Sequence, residues 1–563
     1  MRISNNFEQN GPNFEDGKLG NKPKKNRVRK YIKEFCQSTT IQGPAYIVKN
    51  ISFWERLWWI TIFILGVIGS CIMVYQIWDK YVSTPVLVSL ATKEEMIRDI
   101  PFPAVTICPQ AKVANKCLNY TNILMARKAG RMEETDPREN IIFDYMSLLC
   151  KSDNHEGTIS ILLKSLNETT RKMLELAGAP ISHKKGFSLH DYLRFLTYCS
   201  TVNLSEAHCE WMGGKIKCKD VLTPILTEKG LCFSFNMYDV RDIYSDLNTM
   251  NYAREGVRRK DWSPDRGYFR KTENLEELYP RKAFLSGAKN AFVAVFFTHK
   301  DDIDYACEDF SIQGMQVTLH TPTRIPRPER VSFSVGLDSI ANAAVIPSYT
   351  QTSDRIKHYD PKKRFCYFEN ERQLKYFKFY SQSNCNFECY INYTITQCDC
   401  VNFYMPRDNE TRVCRLSERF CLQDARKSYN EDILKERLDR FRSDDKTMCK
   451  CLPLCADLSY NAELSQSEWD WSNTDEVEFD SFNRSELSMY YASGVKVFFK
   501  NGFFLPSLRD ELYGTTDMIS NIGGILSLFI GVSLITSAEI IYFSTFRLAK
   551  NYFRYGHLFG PKM

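Results

Sequence analysis

Residues Ser520–Glu539 read SNIGGILSLFIGVSLITSAE, a run apolar enough to cross a bilayer yet marked by small residues and a single carboxylate. Gly523, Ser527 and Gly531 recur at every fourth position, with Gly524 beside them, so on a helix they form one small-sided face. Glu539 follows eight residues after Gly531, on roughly the same side. A helix that only anchors a domain needs neither feature. Small faces let membrane helices approach closely. A carboxylate inside a span costs about 2.5–3.5 kcal/mol on insertion scales and faces a bundle interior or a watery path. Two plainer readings stand beside a pore lining: simple helix packing for the stripe, and snorkelling to the interface for Glu539.

Working outward, one further apolar run of membrane length appears. Leu57–Trp78 (LWWITIFILGVIGSCIMVYQIW) carries no charge over 22 residues, enough at about 1.5 Å per residue to cross a hydrocarbon core of about 30 Å. The second span is expected over 518–546. Residues 1–56 hold eleven Lys and Arg against five acidic residues, and 547–563 hold four basic residues and no acid. Both ends are therefore expected in the cytoplasm, and the first span is expected to act as the insertion signal. The net charge of +6 reflects these flanks and calls for no nucleic-acid partner.

Residues 79–517 then lie outside the cell, and their composition agrees. They contain 18 of the 20 cysteines, which an oxidising compartment turns into disulfides. They also hold sequons at Asn119, Asn167, Asn203, Asn392, Asn409 and Asn483, all expected to be glycosylated. Strands are expected at Tyr81–Cys108, Gly230–Asn236, Ala291–Thr298, Met315–His320 and Arg330–Val335, and a mostly helical insertion over 121–200. Ten cysteines crowd between Cys366 and Cys455, namely Cys366, Cys385, Cys389, Cys398, Cys400, Cys414, Cys421, Cys449, Cys451 and Cys455, with a helical pattern at Ser428–Arg442. Spacing leaves their pairing open. Metal binding is the competing reading for such close pairs, but they are CxC rather than CxxC and extracellular. The acidic run Asp301, Asp302, Asp304, Glu308 and Asp309 suits either ion or proton binding or a solvated loop, and Trp469–Asp480 has the same ambiguity. No HExxH, GxSxG or phosphate-cradling GxxxxGK[ST] occurs and the eight histidines are scattered, so no enzyme activity, cofactor or metal is expected.

Eight stretches in order between the two spans give the chain a family likeness. They are FPAVTIC (Phe102–Cys108), GLCFSFN (Gly230–Asn236), WSPDRGY (Trp262–Tyr268), GMQVTLHTP (Gly314–Pro322), YSQSNCNFEC (Tyr380–Cys389), CDCVNFYMP (Cys398–Pro406), CKCLPLC (Cys449–Cys455) and SNIGG…GVS…E. With these the chain resembles the degenerin/epithelial sodium channel family, amiloride-sensitive sodium channels, and most nearly its insect pickpocket branch. The resemblance covers roughly residues 31–547.

It implies an α+β membrane protein: two transmembrane helices and a disulfide-rich extracellular domain of palm and β-ball sheet with helical finger (about 109–230) and thumb (about 366–455). The thumb cysteines would form a five-bridge ladder. Three subunits, identical or related, would surround one pore. Gly531-Val532-Ser533 matches the selectivity filter that interrupts the second span, where freed carbonyls and the Ser hydroxyl replace part of a sodium ion's hydration shell. Ser520, with Asn521 beside it, matches an outer gate sensitive to bulky side chains, and Glu539 matches a carboxylate ring below the filter. The family's cytoplasmic His-Gly gating motif stands here as Gln42-Gly43, which keeps the turn-forming glycine and loses the imidazole. The resulting expectation is a sodium-preferring, amiloride-sensitive channel subunit of the plasma membrane, whose partners are sodium ions, related subunits and the bilayer. Its extracellular ligand is unknown. A two-pass receptor or adhesion ectodomain without a pore is the alternative from another class.

Overall fold

A helix of 31 residues, Phe53–Ser83, carries the first apolar run and continues four and five residues beyond the expected ends. The computed structural model describes residues 23–49, 51–83, 86–131, 139, 143, 146, 149–150, 189–246, 260–270, 278–307, 312–414, 418–439, 449–473 and 487–559. The chain divides into two units: residues 1–87 together with 511–563, and the long segment 88–510 between them.

In the first unit, α1 (Pro23–Ser38) leads through a turn to the short α2 (Pro44–Val48) and then to α3 (Phe53–Ser83). Among the described residues α3 is the one unbroken helix long and apolar enough to cross a membrane. The second apolar run, expected over 518–546 with an interruption at Gly531-Val532-Ser533, is broken there. It begins earlier, at Thr515, stops at Ile530, and resumes at Leu534 on an axis bent by 77°. The face drawn through Gly523, Ser527, Gly531 and Glu539 on a continuous helix is thus cut at Gly531. Helical structure also runs past 546 to Tyr555, through a π turn at Tyr542–Phe546.

The second unit is built on two sheets. Its longer helices among the described residues are α4 (Tyr120–Lys128), α5 (Leu189–Tyr198), α6 (Gln382–Cys398) and α7 (Arg419–Asp439). The strands of these two sheets are β1 (Val86–Leu90), β2 (Ala104–Pro109), β3 (His208–Trp211), β4 (Gly214–Ile216), β5 (Leu222–Thr227), β6 (Gly230–Phe235) and β7 (Phe292–His299). They continue with β8 (Met315–His320), β9 (Phe333–Val335), β10 (Ser339–Thr352), β11 (Asp457–Glu468), β12 (Tyr490–Phe499) and β13 (Ser507–Glu511). The larger sheet runs β1-β13-β10-β12-β7-β3-β4, with β11 also on β10, and the smaller runs β9-β8-β2-β6-β5.

Three stretches far apart in sequence, FPAVTIC, GLCFSFN and GMQVTLH, become the adjacent central strands β2, β6 and β8 of the smaller sheet. All of β2 and β6 is buried, as continuous apolar runs demand. Their polar members meet one another: the Thr106 hydroxyl lies 2.9 Å from Ser234 Oγ and 2.8 Å from His320 Nε2. Burial pushes the His320 imidazole down to about 4. Phe102, Phe235, Phe292 and Phe499 stack or meet edge-on between the two sheets and close the core.

Nine disulfides hold this unit. The ten cysteines of 366–455 pair concentrically: Cys366–Cys455, Cys385–Cys451, Cys389–Cys449, Cys398–Cys421 and Cys400–Cys414. In the middle rungs an i, i+4 pair on α6, Cys385 and Cys389, meets the CxC pair Cys451 and Cys449, between which Lys450 turns at φ of 47°. Both CxC pairs are spent in bridges, which removes the thiolates a metal reading needs.

The structure shifts several boundaries. Tyr81–Ser83 end α3 rather than begin a strand, and only Phe333–Val335 of the run expected from Arg330 is extended. Within the expected helical finger, sheet already begins at His208, while residues 151–188, with Asn167, lie outside the described residues, as does Asn483. The helix expected over Ser428–Arg442 starts nine residues earlier, at Arg419. Asp302 and Asp304 accept hydrogen bonds from the N–H groups of Asn115 and Thr121, tying the acidic loop to the start of α4. Glu308 and Asp309, and 474–480 of the Trp469–Asp480 cluster, lie outside the described residues.

Candidate functional site

Three residues break the second apolar run, and each acts through ordinary helix-end chemistry. The first half, α8 (Thr515–Ile530), ends at Gly531 with φ of 76°, the left-handed conformation that glycine adopts without a Cβ penalty. Its N–H donates to Ser527 O and that of Val532 to Leu526 O. Two residues on, Ser533 caps α9 (Leu534–Ile541): its hydroxyl accepts from Thr536 N at 3.3 Å, while Ser533 N donates to Thr536 Oγ1 at 3.1 Å. Gly-Val-Ser is therefore a stop signal followed by a start signal. The Ser533 hydroxyl is engaged in that cap.

The segment between α1 and α2 supports this break from the side. Gln42 N donates to Ile530 O at 3.0 Å, so the last carbonyl of α8 is met by the main chain of the residue standing in for the family histidine and not by its side chain. A Cβ on Gly531 would sit 2.9 Å from Gln42 Cγ. Gly43 adopts φ of 111°, and a Cβ there would lie 2.6 Å from the Phe63 ring, so both its turn and its close approach to α3 require glycine.

Glu539 belongs to the same polar network. Its Oε2 accepts from Thr40 N at 2.9 Å, Thr39 Oγ1 at 3.2 Å and Thr40 Oγ1 at 3.3 Å. The Thr40 hydroxyl lies 2.6 Å from that of Thr536, which in turn contacts Ser533. A chain of hydrogen bonds thus joins Glu539 to Ser533 through Thr40 and the fully buried Thr536. In a bilayer such groups have no water to fall back on, so their mutual satisfaction fixes the local geometry.

Sequence reading missed Thr39, Thr40 and Thr536, whose partners lie about 500 residues away in the chain. It also missed Gly66 and Gly69 of α3, where the Phe529 carbonyl and ring approach so closely that added Cβ atoms would meet them at 3.1 and 2.9 Å. That contact uses the Phe529 side of α8. Ser520, Asn521, Gly523, Gly524 and Ser527 are exposed on the isolated chain, and a Cβ on Gly523 or Gly524 would meet nothing within 4 Å.

Elsewhere, Asn119, Asn203, Asn392 and Asn409 are exposed. Asn119 caps α4 through its carbonyl oxygen, leaving the sequon's amide nitrogen out of the cap. Cys400, Cys414 and Glu418 cluster within 4.8 Å, but the first two are bridged and Glu418 is held bidentately by Arg412.

An extracellular-type, bridge-stapled unit joined to an unbroken apolar helix and a broken one defines an integral membrane protein with a helix interruption at its polar network. The chain belongs to the amiloride-sensitive sodium channel family, whose model matches residues 35–543. It is 26% identical over 538 residues to pickpocket protein 28 of Drosophila melanogaster, covering 92% of this chain and 79% of that one. Sodium channel protein Nach of the same fly is 22% identical over 531 residues, 93% and 89% of the two chains. Acid-sensing ion channel 2 of Rattus norvegicus is 25% identical over 231 residues, 40% and 41% of the two chains. The chain is a cation-channel subunit and not an enzyme.

Proposed function

We propose that three copies of this chain, or this chain with related subunits, surround a sodium-preferring, amiloride-sensitive pore in the plasma membrane, with both termini in the cytoplasm. Gly531-Val532-Ser533 is its filter, Ser520 and Asn521 its outer gate, and Glu539 holds the gating segment around Gln42-Gly43 against the filter. The supporting observation is the left-handed stop at Gly531 followed by the Ser533 cap inside an apolar helix. A break exposes main-chain carbonyls, and carbonyls at membrane depth persist only where protein or a water-filled path surrounds them. The small face of Ser520, Gly523, Gly524 and Ser527, unused by α3, suits close approach of neighbouring copies.

The test is voltage clamp of cells expressing the chain with a bulky residue at Ser520, alone and with related subunits, under surface biotinylation. A standing inward sodium current blocked by amiloride is expected, and Gly531→Arg in that background abolishes it at unchanged surface delivery. Unaltered sodium conductance in the Gly531→Arg chain would sink the filter assignment.

A further inference from the structure

Below α9 the second span passes through the π turn Tyr542–Phe546 into α10 (Arg547–Tyr555). A π turn pairs main-chain groups over five residues instead of four, a weaker arrangement found mostly as single insertions in α-helices and often at functional positions. In this one hydroxyls supplement the main chain. Thr545 and Ser544 donate to Ile541 O at 2.6 and 3.2 Å, and Tyr31 of α1 donates to Phe543 O at 2.5 Å.

The Tyr31 contact is one of a regular series. Thr39, the residue after α1, meets Glu539, and within α1 Phe35 packs edge-on against Phe543 at 5.2 Å between ring centroids while Tyr31 lies beneath the Arg547 guanidinium. Each step of four residues back along α1 corresponds to four residues forward along the second span. That is one helical face meeting another in antiparallel register. Glu34, on the same side, forms an ion pair with Arg547, whose guanidinium also lies 4.7 Å from the Phe543 ring centroid. Phe559, beyond α10, closes the far end edge-on against Tyr31 at 5.8 Å. Hydrogen bond, ion pair and ring contacts therefore converge on one turn of the span.

From this we infer that α1 is a brace for the intracellular half of the second span, with Tyr31, Glu34 and Phe35 as positioning residues that fix the π turn. Because α1 is continuous with the Thr39–Gly43 segment at the Gly531 break, its docking also sets how that segment meets the filter. The electrical consequence rests on the second span being the conduction path; the docking does not.

Two arms test it on the full chain. In a background with Cys36→Ser and Cys71→Ser, Glu34→Cys paired with Arg547→Cys is treated in membranes with a short bifunctional thiosulfonate, and the linked peptides are read by mass spectrometry. A linked 34–547 peptide is expected in clear excess over the control Lys33→Cys with Arg547→Cys, whose helix position is rotated away. Equal yields, or none for the 34–547 pair, overturn the brace whatever the channel conducts. In the second arm, Glu34→Arg and Arg547→Glu each lower current by about fivefold at equal surface delivery, and the double reversal restores it. Losses that add instead of cancelling, or single reversals without effect, remove the positioning role even if the linkage forms. Conduction lost on Gly531→Arg but indifferent to both reversals would leave the pore reading standing and reject this one alone.

Discussion

Replacing Gly531 by alanine separates two costs that the structure puts at one atom. The first is conformational: at φ of 76°, a Cβ costs about 1–2 kcal/mol. The second is steric: that Cβ would stand 2.9 Å from Gln42 Cγ and 3.3 Å from its Cδ, an overpacking worth about 1–3 kcal/mol. Together they remove about 3 kcal/mol from the broken-helix arrangement, more than a hundredfold in population. Trimming Gln42 to alanine removes Cγ and Cδ but leaves its N–H on Ile530 O. It should therefore recover the steric part, about tenfold, and none of the conformational part. The assay is whole-cell current normalised to surface protein in the Ser520-substituted background. Gly531→Ala is expected to lose nearly all current, the double variant to regain a minor fraction, and Gln42→Ala alone to stay close to the parent. Full current in Gly531→Ala refutes the left-handed break. A double variant no better than the single refutes the Gln42 contact.

Two further outcomes concern the disulfide-bridged unit. The folded protein keeps His320 neutral down to about pH 4, whereas an unfolded chain protonates it below about 6.5. Stability supplied by the neutral ring is therefore complete above that pH and lost as pH falls toward 4, about 2 kcal/mol by pH 5. Thermal melts of the full chain in detergent should show this acid-dependent component shrinking in His320→Gln, and an identical pH dependence in both chains would contradict it. Glu228, 2% exposed, receives the Arg327 guanidinium at 3.1 Å. Glu228→Gln strands that buried charge and should cost about 3–5 kcal/mol, seen as a lowered melting temperature and reduced surface delivery. Glu463→Gln at the exposed Lys500 pair should cost under about 1 kcal/mol. Equal effects of the two would refute the burial argument.

Legibility in the sequence followed the range of the interactions. The break at Gly531–Ser533 is visible because helix stop and start signals are local, and the glycine alone suggested a departure from helix. The bond chain from Glu539 to Ser533 was invisible, since Thr40 enters it from the opposite end of the polypeptide. The motif strands β2, β6 and β8 declare themselves through continuous apolar runs. By contrast β10, the strand on which β11, β12 and β13 all pair, escaped notice because alanines and Pro347 dilute its pattern. In β11, exposed polar residues fill most of the outer half, so strand pairing rather than burial makes it a strand. The concentric cysteine pairing was equally closed to spacing alone, since the bridges join residues up to 89 positions apart.

The central claim, that Gly531-Val532-Ser533 forms the ion-selective constriction, is tested most directly by the reversal potential when external sodium is exchanged for potassium. In the Ser520-substituted chain the potential should follow the sodium gradient, and substitutions at Ser533 that retain current should shift it toward potassium. A reversal potential that stays put across conducting Ser533 variants would place selection elsewhere and contradict the account.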